Sequence, residues 1–432
     1  MRTNAQPSPP PPRPVPTSFH LLTKPTGAIC NLDCEYCFFL SKEELYPGST
    51  FRMTTETLET YVRQLLEAHR QADSVTVAWQ GGEPTMMGLD FYRRAMDLVD
   101  RHARPGQAVT HTIQTNATLL DDEWATFFAE HGFLVGVSVD GPREMHDAYR
   151  VDKGGKPSFD RVVAGLRTLQ RHGVEWNALT TVHAANHQHG LEVYRFLRDE
   201  LGATFMQFIP VVERSHAPDG PPVVPYSVPA DGYGQFLVEV FEEWVRHDVG
   251  DVFVQMFDVA LAQWVGAPPS LCVHAETCGT ALALEHTGDL YSCDHFVDPA
   301  FLLGNINDRP LLELVSSPQQ IAFGRAKRDA LPRQCLECSV RFACHGGCPK
   351  DRFISDKYGQ PALNYLCPSY TRFFTHIDER MRQMAMLLRG GRDASRIRRL
   401  VLIDDERRDP SSPCPCGRAW AFADCHGSAR AG

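Results

Sequence analysis

Three cysteines lie close together near the start of the chain, in the stretch ICNLDCEYCFF at residues 29–39. Cys30, Cys34 and Cys37 follow an apolar run, which predicts that they lie on a loop at the end of a strand. Thiolates bind zinc and iron-sulfur clusters, and both kinds of site normally use four ligands. Three thiolates can therefore hold three irons of a 4Fe-4S cube and leave the fourth iron open. The alternative is a zinc site completed from elsewhere in the chain.

Eight further cysteines fall between residues 272 and 367, and this number matches two sites with four ligands each. Their spacing is C-x5-C, a third cysteine further on, then C-x2-C-x5-C-x3-C and one last cysteine. Zinc in both sites is the alternative to clusters, and spacing alone does not establish which ligands share a site. The eight are Cys272, Cys278, Cys293, Cys335, Cys338, Cys344, Cys348 and Cys367.

A third set of ligand residues lies at the end of the chain, where Cys414, Cys416, Cys425 and His426 are grouped. Three thiolates and an imidazole satisfy a tetrahedral zinc ion, and so short a segment could hardly fold without a metal. Iron or reactive thiols are the alternatives. The set resembles the SEC-C motif, a small zinc module used in protein contacts, although residues 418–420 depart from its glycine- and lysine-rich pattern.

Six apolar runs alternate with helical patterns from residue 18 to about 212, which predicts repeated β-α units and a parallel sheet. The runs are SFHLLTK, SVTVAW, VTHTIQT, FLVGVSV, WNALTTV and TFMQFIPVV. The helical patterns between them cover residues 54–70, 89–103, 121–131, 158–172 and 189–200. This alternation predicts an α/β fold, a partial TIM-like barrel of six β-α units with its site at the carboxyl ends of the strands.

Polar and glycine residues follow several of these predicted strands. Gln80 and the turn GGEP at 81–84 come after the second strand, Asn116 after the third and Ser138 after the fourth. Each of them alone could be a turn or a capping residue. Their common placement at strand ends favours a shared binding site.

The chain divides into six predicted segments. Residues 1–16 form a disordered proline-rich tail, 17–235 the α/β core and 236–267 a helical connection. Residues 268–388 form a cysteine-rich domain organised by metal rather than by a large apolar core. An arginine-rich linker, 389–408, then leads to the zinc module, 409–432.

Composition narrows the class of protein. The net charge of -10 is spread along 432 residues, and the one short basic run, RIRR at 396–399, is typical of a solvated helix face, so we expect no nucleic-acid partner. No apolar run reaches the roughly 20 residues of a membrane span, and the N-terminus lacks a signal-peptide pattern. We expect a cytoplasmic monomer whose 14 cysteines bind metal rather than form disulfides.

The three-cysteine loop, with Tyr36 before its last cysteine, and the GGEP turn resemble the radical S-adenosylmethionine (SAM) superfamily. The resemblance implies that SAM chelates the open iron of the first cluster. It implies that GGEP contacts the SAM amino group and that Ser138 and Arg150 bind its ribose and carboxylate. The full set of implied SAM contacts is Tyr36, Gln80, Gly82, Glu83, Asn116, Ser138, Arg150 and Val211.

The eight later cysteines resemble the SPASM extension of that superfamily, in which two auxiliary 4Fe-4S clusters interleave. The resemblance assigns Cys272, Cys278, Cys293 and Cys348 to auxiliary cluster I. It assigns Cys335, Cys338, Cys344 and Cys367 to auxiliary cluster II. The motif CDHF at 293–296, followed by LGNI, resembles the anaerobic sulfatase-maturating enzymes, and this resemblance covers about residues 18–385.

That family oxidises a cysteine or serine of a C/S-x-P-x-R segment to formylglycine with a 5′-deoxyadenosyl radical. The resemblance implies that Asp294 is the base and that an auxiliary cluster takes up the second electron; capping a turn is the alternative role for Asp294. A sulfatase and a small electron donor such as flavodoxin or ferredoxin are the implied partners. Two other functions stay open: a maturase that modifies or crosslinks a ribosomal precursor peptide, and a non-catalytic scaffold.

Overall fold

A computed structural model describes residues 19–217 and 220–428, so the predicted tail at 1–16 lies outside the described residues. Six strands form the centre of the fold, and each is parallel to its neighbours in chain order. They are β1 (His20–Lys24), β2 (Ser74–Trp79), β3 (Ala108–Thr115), β4 (Phe133–Ser138), β5 (Trp176–Val182) and β6 (Phe205–Pro210). These strands confirm the predicted α/β core of six β-α units.

Six helices connect these strands and lie against the sheet. They are α1 (Thr55–Ala68), α2 (Leu89–His102), α3 (Asp122–Glu130), α4 (Arg143–Asp147), α5 (Phe159–Arg171) and α6 (Gly190–Arg195). α1 shows why these segments fold as helices: the Thr54 side chain accepts a hydrogen bond from the Thr57 N–H, and the apolar positions form one buried face. The short helix α4 was not predicted, and the segment that follows it is hydrogen-bonded to the three-cysteine loop.

Four more strands extend the sheet beyond the predicted six. They are β7 (Phe253–Val254), β8 (Ala281–Glu285), β9 (Asp289–Tyr291) and β10 (Leu302–Asn305). β7 pairs with β6, while β8 pairs in parallel with β1 and begins an antiparallel β8-β9-β10 extension. One sheet of order β10-β9-β8-β1-β2-β3-β4-β5-β6-β7 therefore runs from the core into the cysteine-rich region. Apolar residues of β8, β9 and β10 belong to the main hydrophobic core, so apolar packing contributes to the order of that region. The boundary at 267/268 stays a prediction.

Eight further α-helices follow in the described residues. They are α7 (Gly232–His247), α8 (Gln255–Val265), α9 (Leu311–Val315), α10 (Pro318–Asp329), α11 (Arg333–Leu336), α12 (Arg341–Cys344), α13 (Cys367–Arg389) and α14 (Ile397–Glu406). α14 lies within the predicted linker and is joined to α7 by an Arg246 Nε–Asp405 Oδ2 contact of 2.8 Å. No helix in the described parts of the chain has both the length and the apolar character needed to cross a bilayer.

Candidate active site

The three cysteines of the first loop follow β1 and are partly buried. The loop is hydrogen-bonded to the segment after α4. The Asp33 N–H donates to the Val151 carbonyl at 2.8 Å, and the Glu35 N–H donates to the Tyr149 carbonyl at 3.0 Å. Burial raises the pKa of Cys30 to about 12 and that of Cys34 to about 11. Such thiols stay protonated unless a metal takes the place of the proton, so the donor set fits a soft metal cluster.

The GGEP turn packs against the start of this loop. The Gly82 N–H donates to the Gly27 carbonyl at 2.8 Å, and the Glu83 N–H donates to the Ile29 carbonyl at 2.9 Å. A Cβ atom added at Gly82 would lie 1.9 Å from the Ile29 oxygen, so this approach requires glycine. The backbone of the turn is thereby held beside the cysteine loop, where the resemblance implies a contact to SAM.

Glu83 is buried and ties the turn to the end of β3. Its carboxylate accepts hydrogen bonds from the Thr85 N–H at 3.0 Å, the Thr85 hydroxyl at 2.6 Å, the Thr115 hydroxyl at 2.8 Å and the Asn116 N–H at 2.8 Å. These four donors belong to the protein, which supports a structural role for the carboxylate. Its implied contact to SAM stays a prediction.

Asn116 and Ser138 lie at the ends of neighbouring strands. The Asn116 amide donates to Asn31 Oδ1 at 2.9 Å and lies 3.7 Å from Cys30 Sγ, so it links β3 to the cysteine loop. The Ser138 hydroxyl accepts a hydrogen bond from the Gln114 amide at 3.0 Å. Both residues stand at the same edge of the sheet as the GGEP turn, as a shared binding site requires.

Asp140, two residues after β4, is a site residue that the sequence analysis missed. Its buried carboxylate accepts hydrogen bonds from Arg150 Nε at 2.8 Å, from Arg150 Nη2 at 3.1 Å and from the Tyr36 hydroxyl. Burial alone would raise the pKa of Asp140, but the Arg150 guanidinium and His183 hold it well below its usual range. Asp140 thus joins two implied SAM contacts. Val211, another implied contact, is buried just after β6.

Asp294 forms an ion pair with Lys24, the last residue of β1. Its Oδ1 atom lies 2.5 Å from Lys24 Nζ, and its Oδ2 atom accepts a hydrogen bond from the Gln80 amide at 3.3 Å. Burial acts to raise the pKa of Asp294, but the charge of Lys24 and then His295 outweigh it and lower the pKa. The carboxylate is therefore ionised and able to accept a proton. These side-chain partners support the role of a base over that of a turn cap.

Four cysteines line a cavity of about 260 Å³, together with His295 and Tyr370, and Asp294 lies between two of its lining residues in the sequence. The four are those assigned to auxiliary cluster I: Cys272, Cys278, Cys293 and Cys348. The Cys348 sulfur lies 3.6 Å from His295 Nδ1, and burial raises its pKa to about 12. Four thiols that share one cavity fit a cluster, and they support the implied grouping.

The remaining four cysteines of this region lie at or near the ends of α11, α12 and α13. Cys344 ends α12 and Cys367 begins α13, while Cys335 and Cys338 flank the end of α11. Burial raises the pKa of Cys344 to about 12, and the other three thiols act on it in the same direction. Their mutual electrostatic interaction supports the implied grouping as auxiliary cluster II.

The tail has the closest-packed set of ligand atoms. Within residues 19–217 and 220–428, Cys414, Cys416, Cys425 and His426 are the one group of three or more such side chains whose ligand atoms all lie within 4.8 Å of one another. The Cys416 and Cys425 sulfurs are 3.7 Å apart, the separation of two thiolates bound tetrahedrally to zinc at about 2.3 Å each. His426 Nε2 lies 2.9 Å from the Glu239 carbonyl oxygen, which can orient the ring.

Two family models match the chain. The model of the radical SAM superfamily matches residues 25–197, and that of the SPASM iron-sulfur cluster-binding domain matches residues 272–339. Both matches lie within the segments that the sequence analysis assigned to these domains.

Named relatives cover most of the chain. It is 44% identical over 372 residues to the serine-type anaerobic sulfatase-maturating enzyme of Bacteroides thetaiotaomicron. The matched region covers 83% of this chain and 89% of that protein. It is 32% identical over 369 residues to the cysteine-type enzyme of Clostridium perfringens, over 84% of this chain and 98% of that protein. The solved structure of native anSMEcpe with bound AdoMet has a TM-score of 0.77 and 31% identity, and covers 85% of this chain and 99% of that chain.

Proposed function

Because the chain belongs to the anaerobic sulfatase-maturating enzymes of the radical SAM superfamily, we propose that it oxidises a cysteine or serine side chain of a sulfatase to Cα-formylglycine. When bound, SAM and the iron-sulfur clusters supply the 5′-deoxyadenosyl radical and an acceptor for the second electron. The observation that carries the proposal is the position of Asp294, which meets Gln80 beside the GGEP turn and directly follows Cys293 of the auxiliary cavity.

The residues of this chain would hold the cofactors and accept the proton of the substrate. Cys30, Cys34 and Cys37 would hold the first cluster, and the GGEP turn would fix one end of SAM. Once a hydrogen atom has left the substrate Cβ, the side chain must still lose one electron and the proton of its hydroxyl or thiol. Asp294 accepts that proton, and Lys24 keeps the carboxylate ionised beforehand. A serine then becomes an aldehyde, whereas a cysteine becomes a thioaldehyde that water hydrolyses.

The test is anaerobic incubation of the reconstituted protein with SAM, a reductant and two peptides that differ only in cysteine or serine within the C/S-x-P-x-R segment. We expect an aldehyde at that position of at least one peptide, trapped with a hydrazide and identified by mass spectrometry. Formation of 5′-deoxyadenosine from SAM without an aldehyde on either peptide would contradict the proposal. A crosslinked product without an aldehyde would identify a peptide maturase instead.

Three further features belong to this proposal. A small electron donor such as flavodoxin or ferredoxin would supply the electron to a cluster held by the three-cysteine loop, which is partly exposed at Phe38. Thiolate ligands persist in a reducing compartment, which supports a cytoplasmic location. We expect the enzyme to act as a monomer.

The tail module binds zinc as part of the same proposal. Arg418 Nε lies 2.6 Å from Glu239 Oε1 on α7, and the Gln235 amide donates to the Cys416 carbonyl at 2.9 Å. A tail folded around zinc would therefore be docked on the core. In protein that is already fully loaded with iron, we expect one zinc per chain by elemental analysis.

Cys416→Ser should remove this zinc and make the tail sensitive to protease, because so short a segment has little apolar core of its own. Ser411→Ala, an exposed change in the same module, should leave both properties unchanged. If Cys416→Ser retains a full zinc content, the assignment of the site is wrong.

A further inference from the structure

Lys327 on α10 is a cation buried beside the auxiliary cavity, with 1% of its surface exposed. Its ammonium donates to the carbonyls of Cys272, Val273 and Ala275 at 2.5, 2.9 and 2.5 Å. These carbonyls belong to the segment that carries the first cysteine of the cavity set. The charge of Lys327 is therefore held next to the thiols by all three of its hydrogen bonds.

Arg352 is a second cation, and it lies between the two groups of cysteines. Its guanidinium donates to the carbonyls of Gly346, His345 and Gly347 at 2.9, 3.0 and 3.2 Å. It also donates to the carbonyl of Lys327 at 2.6 Å, so the two basic residues form one connected unit. The charge of Arg352 acts on thiols of both groups: Cys335 and Cys344 of one, Cys278 and Cys348 of the other.

These hydrogen bonds leave both positive charges uncompensated, because carbonyl oxygens carry no net charge. Neither cation forms an ion pair with a carboxylate in the two described stretches of the chain, unlike buried Lys24 and Arg150. A buried charge without a counter-charge is unfavourable. The groups that act on both cations with negative charge are cysteine thiols: Cys278 and Cys348 act on both Lys327 and Arg352.

We propose that Lys327 and Arg352 raise the reduction potential of the clusters held by these eight cysteines, above all that of the cavity set, and so make it an electron acceptor. A cluster gains one negative charge on reduction, and a nearby positive charge in a low-dielectric interior stabilises that reduced form. Charge and hydrogen bonding around the ligands are known levers on cluster potentials. The inference rests on the proposed function only for the source of the electron. The reduction potential of the clusters can be measured in protein without substrate.

The experiment is a redox titration of the reconstituted holoenzyme followed by electron paramagnetic resonance, after iron and sulfide content have been measured. The signal of the first cluster is identified by its response to SAM. We expect Lys327→Gln and Arg352→Gln each to lower the equilibrium constant for reduction of an auxiliary cluster at least tenfold, a shift of about 59 mV to lower potential.

Two variants serve as controls. Lys327→Arg keeps the charge and should stay within about threefold of the wild-type constant. Arg328→Gln removes a charge one position along α10 that is exposed and paired with Asp329 at 2.7 Å, so solvent screening should make its effect equally small.

Three outcomes would overturn the proposal. If the glutamine variants keep their full iron content and have wild-type potentials, the cations serve only to hold the loop carbonyls in place. Loss of cluster iron in both variants would lead to the same conclusion. An equal shift in Arg328→Gln would show a general charge effect. None of these readings requires substrate, so they are distinguishable from a failure of formylglycine formation.

Discussion

Asp294→Asn is expected to lower the rate of formylglycine formation by about 100-fold or more, because a positioned base typically contributes a factor of that size. An asparagine has the same shape and can still accept a hydrogen bond from Gln80, but it cannot take up a proton. SAM cleavage should continue, because the asparagine keeps the hydrogen bond to Gln80, which is an implied SAM contact. Product is measured by mass spectrometry and 5′-deoxyadenosine by chromatography in the same single-turnover reaction.

Asp298→Asn is the matched control for this prediction. Asp298 lies on the same segment but is exposed, and its carboxylate accepts a hydrogen bond from the Ala300 N–H at 3.0 Å. Asparagine can accept the same bond, so this variant should react at the wild-type rate. If Asp294→Asn makes formylglycine as fast as the wild type while it cleaves SAM normally, Asp294 is not the base.

Asp140→Asn is expected to lower the free energy of unfolding by about 3 kcal/mol, because it leaves the Arg150 guanidinium buried without its partner charge. Asp140 is fully buried and also accepts a hydrogen bond from the Thr181 N–H at 2.9 Å. Affinity for SAM should fall as well, since Tyr36 and Arg150 lose the group that orients both of them. Chemical denaturation measures the first effect, and calorimetric titration with SAM measures the second.

Asp160→Asn breaks an ion pair of the same kind at the surface. Asp160 lies 2.5 Å from Arg143, but 78% of its side chain is exposed. Exposed pairs contribute about 0–1 kcal/mol, so this variant should unfold almost like the wild type and bind SAM normally. Equal stabilities for the Asp140 and Asp160 variants would show that the buried pair does not hold this part of the fold together.

The strands of the core could be predicted because buried parallel strands read as continuous apolar runs. The strands from β8 to β10 are only three to five residues long and lie among cysteines and turn residues, so their pattern is too short to stand out. α14 was hidden in a segment whose charge predicted a linker. Only two apolar residues of this helix are buried, Ile397 and Val401, so its apolar pattern is weak.

The groups of cysteines could be recognised in the sequence because metal ligands recur at fixed local spacings. Asp140, Lys24 and Arg352 could not, because their roles depend on partners that only the folded chain brings near. An aspartate in SVDGP reads as a turn residue, and a lysine that ends an apolar run reads as the point where the strand meets water. Lys327 was not predicted either, because basic residues rarely lie buried without a carboxylate partner.

The parallel pairing of β1 with β8 fixes how far the three-cysteine loop lies from the segment that carries Asp294. The ladder runs in register from His20 opposite Ala281 to Lys24 opposite Glu285. The three-cysteine loop leaves the end of β1, and Asp294 follows the hairpin that β8 begins. Neighbouring strands stay about 4.8 Å apart and cannot slip by one residue without turning buried side chains outward. The backbone pairing therefore holds the three-cysteine loop and the Asp294 segment at a constant separation, and exposed side chains can change without altering that separation.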